Sequence, residues 1–404
     1  MQMQTPGHHQ RLDVLDGYRG LAILLVLGFH YCSRWTPPRA PENLYPYGEL
    51  LRDIPIVRHG YLGVELFFII SGFVIALTLI SSKDWLDFAL RRAARLIPSM
   101  VLCSTVTFAI LALLPIKYFE PTLVDFAPSL SFIEPYVWEK TLGTPVRAID
   151  GAYWSLFVEV KFYFWACLLF FVFKERRFLT AFAVFFNVVL ALEAFGVLFS
   201  NRLVISAGEA FFASSHLPWF GAGIAFFYLF HDHGNRLASL VVIETLVVVV
   251  ARAIPMDAVS EVPFDLAFYA LFFLFVFCRD RVRAFEWKPL ALIGEASYSL
   301  YLLHQNVGVT LIALFGGLAG TNASPWSALS VPLVAVVMIL FSLFIYRHWE
   351  VPAKRKLLDL GRPLLNRLGS VSWRPRLFAA ATQGAPSWWR RLAPSHLIRG
   401  NRED

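Results

Sequence analysis

The chain has 404 residues, of which 57% are hydrophobic and 16% charged, with a mean hydropathy of +0.58 and a formal net charge of +7. Soluble domains carry about 25% charged residues, so this chain has too few polar groups to cover a core of its size, and lipid is the expected solvent. That excludes an ordinary soluble enzyme. The basic excess reads as membrane topology, with no nucleic-acid partner expected.

The opening stretch, MQMQTPGHHQRLDVLDGYRG, lacks a basic n-region and a small-residue cleavage site, so it reads as a cytoplasmic lead-in and not a signal peptide. A bilayer core needs roughly 20 apolar residues per helix. On that criterion the expected spans are 15–33, 60–81, 97–116, 152–173, 178–199, 208–230, 237–254, 262–278, 290–314 and 326–346. The fold class is therefore all-α, a polytopic membrane bundle of roughly ten helices. With the N-terminus placed inside, about 25 Lys and Arg fall in inner segments and about 9 in outer loops. Both termini are then cytoplasmic. Residues 83–97, KDWLDFALRRAARLI, space apolar and basic residues as a helix lying on the inner surface would. Residues 1–350 form the membrane domain. Residues 351–404 form a basic cytoplasmic tail, expected to be membrane-surface associated or partly disordered. Cys32, Cys103, Cys167 and Cys278 show no metal-ligand spacing, so reduced thiols and no metal site are expected.

Ionisable groups at bilayer depth are costly, so each is a functional hypothesis. Arg19 and His30 bracket the first span, about 16 Å apart at 1.5 Å per residue, too far to share one site. Snorkelling of Arg19 and a structural hydrogen bond for His30 are the plain alternatives. In GYLGVELFFIISGF, Glu65 lies about one turn in, near the depth of His30, where a carboxylate can orient an imidazole. A structural salt bridge would explain it equally. Gly63, Ser71 and Gly72 are read as packing residues. AYWSLFVEVKFYFW places Trp154, Ser155 and Glu159 in the outer half. GEASYSLYLLHQN carries Tyr298 and then His304 outward. His30, Glu65, Glu159 and His304 thus stand at similar depth, which predicts one shared polar cavity. Arg91, Arg92 and Arg95 precede Pro98 on the inner side. Guanidinium groups at helical spacing suit phosphate, although the positive-inside rule alone accounts for them. Two classes fit: a proton-coupled transporter using the His/Glu set, or a transferase taking a phosphate-bearing donor from the cytoplasm.

Six segments, in order, resemble the acyltransferase-3 family of membrane-bound O-acyltransferases. They are RLDVLDGYRGLAILLVLGFH, GVELFFIISGF, RRAARLIP, WSLFVEVKFY, SYSLYLLH and YRHWEVP, spanning residue 11 to about 352. The resemblance implies transfer of an acyl group, often acetyl, from cytoplasmic acyl-CoA to a hydroxyl on a glycan or lipid-linked sugar. It implies a multi-pass location in the inner (plasma) membrane. His30 matches the family's essential histidine, and Arg19, Arg92 and Arg95 match its essential arginines. His30 is then the expected general base, Glu65 its orienting partner, and the three arginines the donor-phosphate site. Trp154, Ser155, Glu159, Tyr298 and His304 are the expected substrate-binding residues. Acyl-CoA is a co-substrate, and no permanently bound cofactor is expected. Two positions depart from the family pattern. Glu65 stands where aspartate is also common, and Lys161 follows Glu159 where a second acidic residue is frequent.

Overall fold

The structure, a computed structural model, describes residues 10–114, 116, 118–319 and 325–367. Among them the chain is all helix and turn, with a single isolated bridge between Ile116 and Phe119. The principal helices are α1 (Gln10–Cys32), α2 (Gly63–Ser81), α3 (Trp85–Leu113), α4 (Trp154–Phe173), α5 (Glu175–Leu198) and α6 (Leu217–His231). They continue with α7 (Arg236–Ala253), α8 (Val262–Phe277), α9 (Ser297–Leu303), α10 (Asn306–Ala319), α11 (Ser330–Ile345) and α12 (Val351–Arg367). The chain is a polytopic membrane helix bundle. Six helices among the described residues are long and apolar enough to cross a bilayer, or seven if the bent pair α9–α10 counts as one. Three of the ten expected spans fall short of that test. They are α6, with 15 residues, and α1 and α7, which carry charges along their length.

α1 lies inside the bundle, burying Val14, Tyr18, Ala22, Ile23 and Val26. It runs from an end marked by Arg19 to an end marked by His30, called below the arginine and histidine ends. α6 packs along α2 with backbones in near contact. A Cβ at Gly72 would lie 2.2 Å from the Phe220 carbonyl, and one at Gly223 would lie 2.1 Å from that of Ile69. Small residues at such crossings replace the hydrophobic drive that lipid cannot supply. Gly63 has the same role against Ala22 of α1. Ser71 does not; its hydroxyl turns to Glu159.

Two expectations need correction. The surface helix over 83–97 and the span over 97–116 are one 29-residue helix, α3, about 43 Å long. Asp84 caps it by accepting from the Asp87 N–H at 2.9 Å. Pro98 removes one ladder bond without ending the helix. The carbonyls of Leu96 and Pro98 accept from the Tyr298 hydroxyl at 3.0 Å and the Trp349 indole at 2.8 Å. The span expected at 208–230 begins only at Leu217, because Gly208–Phe212 forms a π turn and Ala213 takes a left-handed conformation at φ 50°. The start of the tail is helical. A π turn over Tyr346–Glu350 joins α11 to α12, which packs on α3 where Gly361 meets Leu90. The rest of that tail lies outside the described residues.

The span expected at 290–314 is broken. Helix Lys288–Glu295 leads into α9, and α9 meets α10 at 59° across His304 and Gln305. Backbone groups freed at such a break need partners where no water is present. Asp150 supplies one. Its Oδ2 accepts from the Asn306 N–H at 2.8 Å and its Oδ1 from the Ala152 N–H at 2.8 Å. One carboxylate thereby ties the start of α10 to the start of α4. Asn306 returns the contact by donating to the Ile149 carbonyl at 3.0 Å.

The α2–α6 contact is directly testable. Gly223→Ala forces a methyl into backbone and should cost about 1–3 kcal/mol, read as a lower thermal midpoint in detergent. Gly28→Ala, where an added Cβ meets nothing within 4 Å, should leave the midpoint unchanged or raise it.

Candidate active site

Arg92 and Arg95 lie three residues apart on α3, so both project from one face. They meet Arg19 of α1 around a cavity that Ser155, Glu159, Tyr163, Tyr298 and Tyr301 also line. Its volume is about 60 Å³. Arg19 is held by Asp16, one turn back, at 2.7 Å. Arg92 donates from Nη2 to Thr78 at 2.9 Å and lies over the Tyr163 ring, 5.7 Å from its centroid. Its Nε is buried without a partner. Glu159 is the carboxylate lining this space, and its Oε1 accepts from Ser71 at 2.6 Å and Tyr163 at 2.5 Å. Three guanidinium groups therefore face one carboxylate. An orphaned buried donor costs about 1–3 kcal/mol, and an anionic ligand would satisfy both the donor and the charge.

His30 lies near the last turn of α1, where the Tyr45 hydroxyl donates to its carbonyl at 2.5 Å. Its ring partner is His304, with His304 Nε2 and His30 Nδ1 3.2 Å apart and the rings near perpendicular. The surrounding acceptors fix the tautomers. His304 Nδ1 faces the Tyr301 carbonyl at 2.7 Å, so it carries the proton and leaves a lone pair on Nε2. His30 Nδ1 faces that lone pair and the Val26 carbonyl at 3.0 Å, so it too is an N–H. In the neutral imidazole the lone pair of His30 is then on Nε2. That is the form a general base requires.

Neighbours of the pair line two cavities. Tyr301, which hydrogen-bonds to Ser155 at 2.8 Å, lines the arginine cavity. Gln305, whose side chain contacts His30, lines a second cavity at the histidine end. Asp150 fixes the break that carries both neighbours. It stands outside the spanning segments, and burial pushes its carboxyl up to about 7 against the two N–H groups that favour the ionised form.

The structure gathers the sequence-derived residues into separate places. Arg19, Arg92, Arg95, Ser155, Glu159 and Tyr298 share the arginine cavity, His304 meets His30, and Trp154 lines the second cavity beside His216. Glu65 is the correction. Its partner is Asp265 of α8, with Glu261 and Tyr61 beside them, and the imidazole of His30 is oriented by His304 and Val26 instead. The single cavity expected to join His30, Glu65, Glu159 and His304 is thus three distinct clusters. Sequence reasoning missed Asp150, Tyr163, Asp265 and Gln305. Asp150 had a signal, an Asp-Gly pair opening a helix, which is an N-cap pattern. Lys161, the departure after Glu159, reaches Glu134 at 2.7 Å and the Glu209 carbonyl at 3.2 Å.

Comparison with known proteins follows the same residues. The chain is 23% identical over 332 residues to an O-acetyltransferase, OatA, of Staphylococcus aureus, covering 73% of this chain and 50% of that protein. It is 26% identical over 169 residues to a putative peptidoglycan O-acetyltransferase, YrhL, of Bacillus subtilis, covering 39% of this chain and 23% of the relative. It is 28% identical over 198 residues to an O-acetyl transferase of Shigella phage Sf6, covering 48% and 55%. The chain therefore spans between about a quarter and just over half the length of these relatives. No solved structure matches. Residues 12–347 match the acyltransferase-3 profile, described as an acyltransferase domain, and the chain belongs to that family of acyltransferases.

Proposed function

We propose that this protein is a membrane O-acetyltransferase that moves an acyl group from cytoplasmic acyl-CoA to a hydroxyl of a surface glycan or lipid-linked sugar. The observation that carries the reading is the His30–His304 pair, whose neighbours Tyr301 and Gln305 line the arginine cavity and the second cavity. In this scheme Arg19, Arg92 and Arg95 bind the donor's phosphates, and the pantetheine arm runs past Tyr301 toward the pair. His30 Nε2 takes the proton of the acceptor hydroxyl as its oxygen attacks the thioester carbonyl. The C–S bond then breaks, and the proton passes from His30 to the departing thiolate. His304 keeps the reactive nitrogen in its basic tautomer. The excess of Lys and Arg at the arginine end supports a cytoplasmic face there and an inner-membrane location.

Two results test the scheme. His30→Ala should lower transfer of labelled acetyl in membranes by about 10²–10⁴; activity equal to the parent would remove the base. In inside-out vesicles supplied with acyl-CoA from outside, Arg92→Ala/Arg95→Ala should raise the KM for acyl-CoA by about tenfold or more. An unchanged KM would remove the donor site, and activity only in right-side-out vesicles would invert the orientation.

A further inference from the structure

The second cavity is much larger than the first, about 630 Å³ against about 60 Å³, and within the range of small-ligand sites. Its walls come largely from the segment between α3 and α4 and are fixed by internal bonds. Asp125 accepts from the Arg147 N–H at 2.7 Å and the Thr122 N–H at 2.7 Å. Lys161 of α4 pins Glu134. The cavity is thus pre-formed, and at its base Gln305 and Asn306 adjoin the histidine pair.

Its lining combines two chemistries. Trp35, Tyr118, Tyr136 and Trp154 supply flat ring faces, and Trp154 is 44% exposed. Glu120, Asp125, Glu134 and Glu209 supply carboxylates. Sugar rings present apolar C–H faces to aromatic rings and hydroxyl donors to carboxylates. An acyl chain has no donors to offer, and an anionic sugar would meet like charge. Arg147 lines the cavity, Lys161 stands behind Glu134 and Arg252 stands near Glu209, so four carboxylates face three cations. A cleft of one predominant sign in low-dielectric walls focuses its field and selects ligands by charge.

We infer that this cavity is a saccharide site that admits neutral or amine-bearing sugars and rejects anionic ones. Its use as the acceptor site rests on the transferase reading above.

The test uses the full chain in lipid nanodiscs with three trisaccharides: N-acetylglucosamine trimer, glucosamine trimer and galacturonic acid trimer. The first two should bind, with the galacturonate weaker by about tenfold or more. That gap should narrow at about 0.5 M salt and in Glu120→Lys, where a cation replaces an exposed carboxylate. Trp154→Ala should weaken the neutral trimer. Equal binding of the galacturonate, or a gap indifferent to both salt and Glu120→Lys, overturns the inference. Labelled acetyl-CoA separates it from the transferase reading. Selective binding with no label on any trimer supports the saccharide site and counts against transfer. Label reaching galacturonate as fast as the neutral trimer overturns the charge selection and leaves transfer standing.

Discussion

The contact between the Asp150 carboxylate and the Asn306 N–H is small, yet the rest of the site depends on it. A helix broken at His304 and Gln305 exposes backbone donors that lipid cannot satisfy. Asp150 answers at the start of α10 while also capping the turn that opens α4. With the break held, the Tyr301 carbonyl fixes the His304 tautomer, and His304 in turn fixes that of His30. The chemistry assigned to His30 thus begins at a residue that does not touch it. Asp150 is a positioning residue in this sense.

The second constraint is charge. Three guanidinium groups line one cavity; Asp16 pairs with Arg19, and Glu159 and Glu350 act on Arg95, but the Nε–H of Arg92 is left without a partner. Buried charge is tolerated where it is paired or where a ligand completes it. The neighbouring tyrosines reduce the cost without cancelling it, since Tyr163 lies under Arg92 and donates to Glu159. The same logic with the opposite sign governs the second cavity, where carboxylates prevail. An anionic donor and a non-anionic acceptor would be drawn to the two different cavities that neighbours of the histidine pair line.

Much of this was legible in the sequence, and the failures have physical causes. Spacing and the family resemblance placed His30 and the three arginines, residues 262–278 match α8 to within a residue, and 60–81 differs from α2 by the short turn Gly60–Leu62 at its start. Spacing along a span estimates depth. It could not give azimuth. Glu65 shares a level with His30 but faces α8, where Asp265 meets it. The break at 304–306 was hidden because residues 290–314 are apolar enough to read as one span despite Glu295 and the His-Gln-Asn triplet. The union of the surface segment with the following span was hidden for a related reason. An amphipathic stretch reads alike whether it lies on lipid or leads into it, and contacts with α9 and α12 decided the matter.

The central claim is that His30 and His304 act as one unit, and a double-mutant cycle on acetyl transfer tests it most directly. Rates for the parent, His30→Ala, His304→Ala and the double variant would be compared at equal amounts of folded protein. The account predicts that His304→Ala slows transfer and that adding it to His30→Ala costs nothing more, since its only role is to hold the base. Losses that multiply in the double variant would contradict the account, because the two imidazoles would then act independently.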